Sequence, residues 1–154
     1  MNTHFVAAVV FALDRKSGEW KFLVIDYRSK DPRTGKLTSI QTKFPGGTNK
    51  ECPDETTEDT CKRELEEETG LCFSHRNSLR IWDKVVSPGH NKCAFLVPYD
   101  SCTGQLRQEE IDDDGDKLSK PYWATEKELA WIFHSHEEIF KKAINFLHSS
   151  INSS

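Results

Sequence analysis

Phe5-Val6-Ala7-Ala8-Val9-Val10-Phe11-Ala12-Leu13 is an unbroken apolar run, the pattern of a central strand covered on both faces. Asp14 to Gly18 is a turn cluster, and Trp20 to Tyr27 returns as a second strand, so the two predict a hairpin. Residues 28–43 are polar, hold Asp31-Pro32 and Thr34-Gly35, and read as a solvated loop. Lys43-Phe44-Pro45 follows as a short extended piece, because a residue before proline is pushed out of the helical region. Ser78 to Val86 and Cys93 to Tyr99 predict two more strands, joined through the Ser87-Pro88-Gly89 turn. Residues 103–121 read as a loop dense in acids.

Two stretches carry helical signals. Thr56 can cap a helix, with Asp59 three residues on as the reciprocal acid, and Gly70 suits its left-handed C-terminal cap. Near the C-terminus, Thr125-x-x-Glu128 and Ser135-x-x-Glu138 predict a short helix and then a longer one. The longer helix carries Ile139, Phe140, Ala143, Ile144 and Leu147 on one face. Ser149 to Ser154 is expected to fray. Residues 1–154 show no internal repeat and read as a single domain.

Composition narrows the function. The net charge of −4 argues against a general nucleic-acid binder that relies on a basic surface. The loop at 28–43 is a local exception, at +4 from Arg28, Lys30, Arg33, Lys36 and Lys43 against Asp31, and a solvated loop is the default reading over a phosphate-guiding one. No apolar run approaches the length of a membrane span, and no basic start precedes the first apolar run. The five cysteines (Cys52, Cys61, Cys72, Cys93, Cys102) are odd in number and hold no C-x-x-C pair. That pattern fits reduced thiols in a cytoplasmic protein.

The acids are most unevenly placed between Glu51 and Glu68, where nine (51, 54, 55, 58, 59, 64, 66, 67, 68) face two bases, Lys62 and Arg63. Glutamates three and four apart on a helix repel by a few tenths of a kcal/mol per pair. With about 100° per residue and Arg63 at 0°, Glu67 falls near 40°, Glu64 near 100° and Glu68 near 140°. Cys61 and Leu65 form the adjoining apolar stripe, and Glu66, near 300°, points away. Three carboxylates beside a buried edge call for a cation, and oxygen ligands select Mg²⁺, with Mn²⁺ as a substitute.

The segment from Gly46 to Leu71 resembles the Nudix hydrolase signature, G-x5-E-x7-R-E-U-x-E-E-x-G-U with U aliphatic. Its second half fits throughout: Glu55, seven residues, Arg63-Glu64-Leu65, Glu66, Glu67-Glu68, Thr69, Gly70-Leu71. Its first half does not, because seven residues separate Gly47 from Glu55 where the signature has five. A lengthened loop is the cheaper explanation, since an insertion within the helix would rotate the ligands off their face. The resemblance implies an α/β fold of the Nudix α/β/α sandwich type, a mixed sheet between the box helix and a C-terminal helix. It implies a Mg²⁺-dependent pyrophosphohydrolase acting on a nucleoside diphosphate linked to another moiety, such as a (d)NTP, ADP-ribose, a nucleotide sugar or a dinucleoside polyphosphate. The metal set becomes Glu64, Glu67, Glu68 and the Gly46 carbonyl, with Arg63 paired to Glu55 as a brace. The resemblance leaves the general base to the box itself or to a glutamate of a later loop, and outside the box Glu109 or Glu110 is the candidate ligand or base. The partner is a small-molecule nucleotide, with no membrane and no general nucleic-acid binding, and a homodimer is left open.

Other readings compete. A nucleotide-binding sensor that kept the fold and lost turnover should have lost box glutamates, and Glu64, Glu67 and Glu68 are all present. A partner-binding domain would use the acidic stretch at 109–116, and an isomerase of the isopentenyl-diphosphate type lacks its cysteine motif here. His134 and His136, two apart, face opposite sides and make a poor metal pair. His90 reads as a surface turn residue. The tryptophans and tyrosines read mostly as packing. Pro88, seventeen residues beyond Leu71, weakly resembles the ADP-ribose-cleaving branch.

Overall fold

The computed structural model describes residues 2–113 and 115–152. Its elements in chain order are β1 (Thr3–Leu13), β2 (Trp20–Arg28), β3 (Gln41–Lys43), β4 (Gly46–Thr48), α1 (Thr57–Thr69), β5 (Leu71–Cys72), β6 (Leu79–Ser87), β7 (His90–Pro98), β8 (Thr103–Gly104), β9 (Ile111–Asp113), β10 (Asp116–Leu118), β11 (Tyr122–Thr125) and α2 (Glu137–Asn152). β1 runs parallel to β7 along its length and antiparallel to β2, so the sheet is mixed and β1 is internal.

Alternation along β1 divides its apolar run between two layers. Val6, Ala8 and Val10, with Leu23 of β2, pack against Cys61 and Leu65 of α1. Ala7 and Val9, with Phe22 and Val24, pack against Ile139, Ala143 and Leu147 of α2. The protein is thus an α/β/α sandwich. Full burial of Leu65 or Ile139 contributes about 1.5–3 kcal/mol, which is what keeps each helix on its face.

β1 and β2 pair over Phe11↔Phe22 to Leu13↔Trp20 and then part. The opening is filled from both sides: β4 pairs with β1 over Phe5↔Thr48 to Ala7↔Gly46, and β3 pairs with β2 over Ile25↔Lys43 to Tyr27↔Gln41. Residues 41–48 are therefore wedged into the sheet, facing α1. The other side of the wedge is closed by the turn before α2, where Phe133 N–H donates to the Thr42 carbonyl (2.7 Å) and Phe44 N–H to His136 Nδ1 (3.2 Å).

Three sequence expectations change. The acidic stretch at 103–121 holds β8 and the β9–β10 hairpin. Asp112 closes that hairpin by accepting from Gly115 N–H (3.1 Å) and pairing with Lys117 (2.9 Å), while Ile111 sits opposite Leu118. Asp114 lies outside the described residues. Ser135 sits inside a 3₁₀ turn, His134–His136, that runs into α2, so it does not cap the helix. α2 continues to Asn152, past the point where fraying was expected, and Ser153 and Ser154 lie outside the described residues. His134 and His136 do diverge: the first is exposed, the second 3% exposed among Phe5, Phe44 and Phe133.

Candidate active site

Local signals set the ends of α1. Thr56 and Asp59 exchange capping bonds (3.1 and 3.3 Å), and Gly70 ends the helix at φ 88 with its N–H on the Glu66 carbonyl (2.9 Å). The helix phase then orders the acids by burial. Glu67 keeps 59% of its side-chain exposure and Glu64 16%, and Glu68 is 9% exposed. Glu66 is exposed.

Arg63 is the electrostatic hub. Its guanidinium grips Glu55 with two nitrogens (2.8 and 2.9 Å), reaches Glu64 (2.9 Å) and Glu67 (3.4 Å), and donates to the Thr48 carbonyl (2.9 Å). Bidentate pairing of this kind fixes geometry as well as charge. It holds the Glu55 carboxyl below the usual carboxylate range.

The longer loop is absorbed by successive turns, Cys52 N–H to the Asn49 carbonyl and Glu55 N–H to the Cys52 carbonyl, both 3.0 Å. Buried Asn49 ties the loop to β1, accepting from His4 N–H (2.9 Å) and donating its own N–H to the His4 carbonyl (3.3 Å). Glu55 is therefore delivered to Arg63 despite the extra length. Thr60 donates its hydroxyl proton to Glu55 (3.0 Å), so at 2.7 Å it accepts from His4 Nε2–H.

The wedge meets α1 at its glycines. Gly46 N–H donates to Glu68 Oε1 (2.9 Å). A Cβ on Gly46 would overlap the Val6 carbonyl, and one on Gly47 would overlap the Glu64 carboxyl. Gly47→Ala is expected to displace Glu64 while the backbone stays in place, because the overlapping group is the end of a side chain. A tenfold or greater fall in kcat with Tm within a few degrees of wild type is the expected result, about 1.4 kcal/mol per decade of rate. A fall in Tm with kcat unchanged would contradict it.

Burial pushes Glu68 up to about 7, with nearby Glu64 adding to the effect and Gly46 N–H and Lys43 opposing it. Glu64 is also raised by burial, against the pull of Arg63. Among the described residues, no three His, Cys, Asp or Glu side chains stand together as ligands for one ion. The donor set nevertheless fits a hard divalent cation. It is all oxygen, and Glu68 is a buried carboxylate whose charge is incompletely offset.

The residues outside the box fall differently from expectation. Glu109 and Glu110 are exposed, and the structure does not gather their carboxylates with Glu64 and Glu68. Arg107 secures their loop by donating to the Glu68 carbonyl (2.9 Å), the Ser119 carbonyl (2.8 Å) and the Glu109 carbonyl. The group that does face the box is a set the sequence reading missed: Lys43, Tyr27 and Asp116. Lys43 Nζ lies 4.0 Å from the Tyr27 ring centroid, and the Tyr27 hydroxyl donates to Asp116 (2.9 Å). In sequence Lys43 is one of five bases in a polar loop. Its available signal was position, three residues before Gly46 on the strand entering the glycines.

A NUDIX domain family model matches residues 3–144. No curated protein gives a significant match. Among solved structures, a mutT/nudix family protein from Listeria innocua is similar at TM-score 0.65 and 19% identity, over 98% of this chain and 97% of that one. The NUDIX domain of Shewanella oneidensis NrtR, crystallised with ADP ribose, is similar at TM-score 0.62 and 20% identity, over 96% of this chain and 89% of that one. A MutT/nudix family protein from Enterococcus faecalis is similar at TM-score 0.53 and 21% identity, over 81% of this chain but only 44% of that one.

Proposed function

The chain belongs to the Nudix family, and on that premise we propose that it is a Nudix hydrolase, a Mg²⁺-dependent pyrophosphohydrolase of nucleotide derivatives, with Mn²⁺ able to replace Mg²⁺. The observation that carries this reading is the meeting of Glu64 and Glu68 with Gly47 and Gly46, beside an Arg63 locked onto Glu55. Glu64, Glu67, Glu68 and the Gly46 carbonyl would hold the ion, with Glu110 or Glu109 approaching from its loop. When bound, the ion supplies charge neutralisation at the diphosphate and makes a water acidic enough to deprotonate near neutral pH.

The chain's own groups do the rest. Arg63 and Glu55 fix the rotation of α1 against the loop, so that Glu64 and Glu68 keep their places. Gly46 N–H orients Glu68. Partial burial of Glu64 and Glu68 limits screening by water, which strengthens their action on any nearby charge. The residues need form no covalent intermediate, because water attacks one phosphorus of the diphosphate link and the other phosphate departs.

A nucleotide substrate is supported by the ADP ribose held by the Shewanella NUDIX domain. Cytoplasmic residence is supported by five free thiols, and among the described residues no helix is long and apolar enough to cross a membrane. The test is product release from a panel of (d)NTPs, ADP-ribose, nucleotide sugars and dinucleoside polyphosphates. At least one should be hydrolysed with Mg²⁺, silenced by EDTA and restored by excess metal. Tight binding without turnover across the panel would favour the sensor reading instead.

A further inference from the structure

Lys43 is a half-buried lysine within the electrostatic reach of three carboxylates, and the proposed chemistry gives it no task. The register Ile25↔Lys43 fixes its strand position, and its ammonium rests on the Tyr27 ring at 4.0 Å. Tyr27 is itself held by Asp116 through a 2.9 Å hydrogen bond, and Asp116 is held by Lys30 N–H at 2.9 Å. Glu68 is anchored on the N–H of Gly46, which lies three residues beyond Lys43 in the chain. The charges acting on the ammonium are Glu68, Glu64 and Asp116, in that order. A strongly hydrated ammonium is costly to bury. A buried lysine is retained where something repays that cost, and here the recipients are the two most buried acids of the box.

We infer that the Lys43 ammonium acts as the resident cation of the metal-free site and competes with the divalent ion for the field of Glu68 and Glu64. Lys43 thereby sets how much Mg²⁺ or Mn²⁺ the protein needs before it is loaded. It keeps the acids from repelling each other while no ion is bound, and it weakens the hold on an ion that arrives. This inference rests on the metal-dependent reading above.

The test is calorimetric titration of Mn²⁺ into the substrate-free protein, with thermal unfolding in EDTA alongside. Lys43→Met keeps the hydrocarbon stem over Tyr27 and removes the charge, and Lys43→Arg keeps the charge. Lys43→Met should bind Mn²⁺ about tenfold or more tightly than wild type, because a unit positive charge acting on the same carboxylates is removed. It should also unfold at lower temperature in EDTA and gain more from added Mn²⁺. Lys43→Arg should stay within about threefold of wild type. Unchanged or weaker binding by Lys43→Met overturns the inference, as does an arginine variant that matches the methionine one. If Lys43→Met does not fold, Lys43→Gln carries the same expectation. Wild type that binds Mn²⁺ normally while the Met variant does not differ sinks Lys43's role alone. Wild type that binds no Mn²⁺ sinks the metal reading and this inference together.

Discussion

Glu68→Gln is expected to reduce kcat at saturating metal by at least about a hundredfold while Tm stays level or rises. The glutamine oxygen can still accept from Gly46 N–H, so the local fold survives. What disappears is the charge, and removing one preorganised electrostatic partner of a reacting group costs on the order of 10²–10³ in rate. Stability moves the other way, because a neutral amide avoids both the burial cost and the repulsion from Glu64 that raise Glu68 to about 7. Glu67→Gln should also lose orders of magnitude in turnover. Glu66→Gln, on the exposed side of α1, should stay within about twofold. Steady-state kinetics and a melting curve on the three variants decide the matter. A Glu68→Gln enzyme near wild-type rate would remove the basis for the ligand assignment, and an inactive Glu66→Gln would mean the helix phase is misassigned.

Acid should weaken the fold through His136. Burial drives its pKa from 6.5 down to about 3, with Lys43 and Lys92 adding to the effect. The unfolded chain therefore takes up this proton first. The stabilisation is complete above about pH 6.5 and is lost as pH falls toward 3, at up to about 1.4 kcal/mol per pH unit. Glu68 acts in the opposite sense: with its folded pKa raised to about 7, its contribution is fully present below 4.5 and is lost as pH rises through 7. The informative quantity is therefore the difference between wild type and His136→Gln, whose amide oxygen can still accept from Phe44 N–H. Urea unfolding between pH 6.5 and 4.5 should show wild type losing about 2–3 kcal/mol relative to the variant over those two units. Parallel pH profiles would show that His136 is protonated in the folded protein.

The box helix was legible because its determinants are local. The Thr56–Asp59 cap, the Gly70 terminus and the 100° phase of Arg63, Glu64, Glu67 and Glu68 depend on neighbours within a few residues, and the burial gradient follows that phase. The same holds for the face of α2 and for the hairpin of β1 and β2. Non-local features were hidden. β9 and β10 read as a solvated loop because their apolar pair, Ile111 and Leu118, is short and flanked by acids. Lys43, Tyr27 and Asp116 lie far apart in sequence and meet only because β3 and β10 both dock on β2. His136 was legible only as half of a poor metal pair, and its bond to Phe44 N–H exists only once α2 has packed behind the wedge.

The parting of β1 and β2 has a mechanical meaning. β3, with Lys43, is fastened to one strand, and β4, with Gly46 and Gly47, is fastened to the other. Phe44 and Pro45 bridge the two and are themselves tied down: Phe44 is 1% exposed with its N–H on His136, and the Pro45 carbonyl accepts from Ala8 N–H (2.8 Å). The spacing between the lysine and the glycine N–H that anchors Glu68 is therefore set by the sheet, and the balance of charge at the box is built into the backbone.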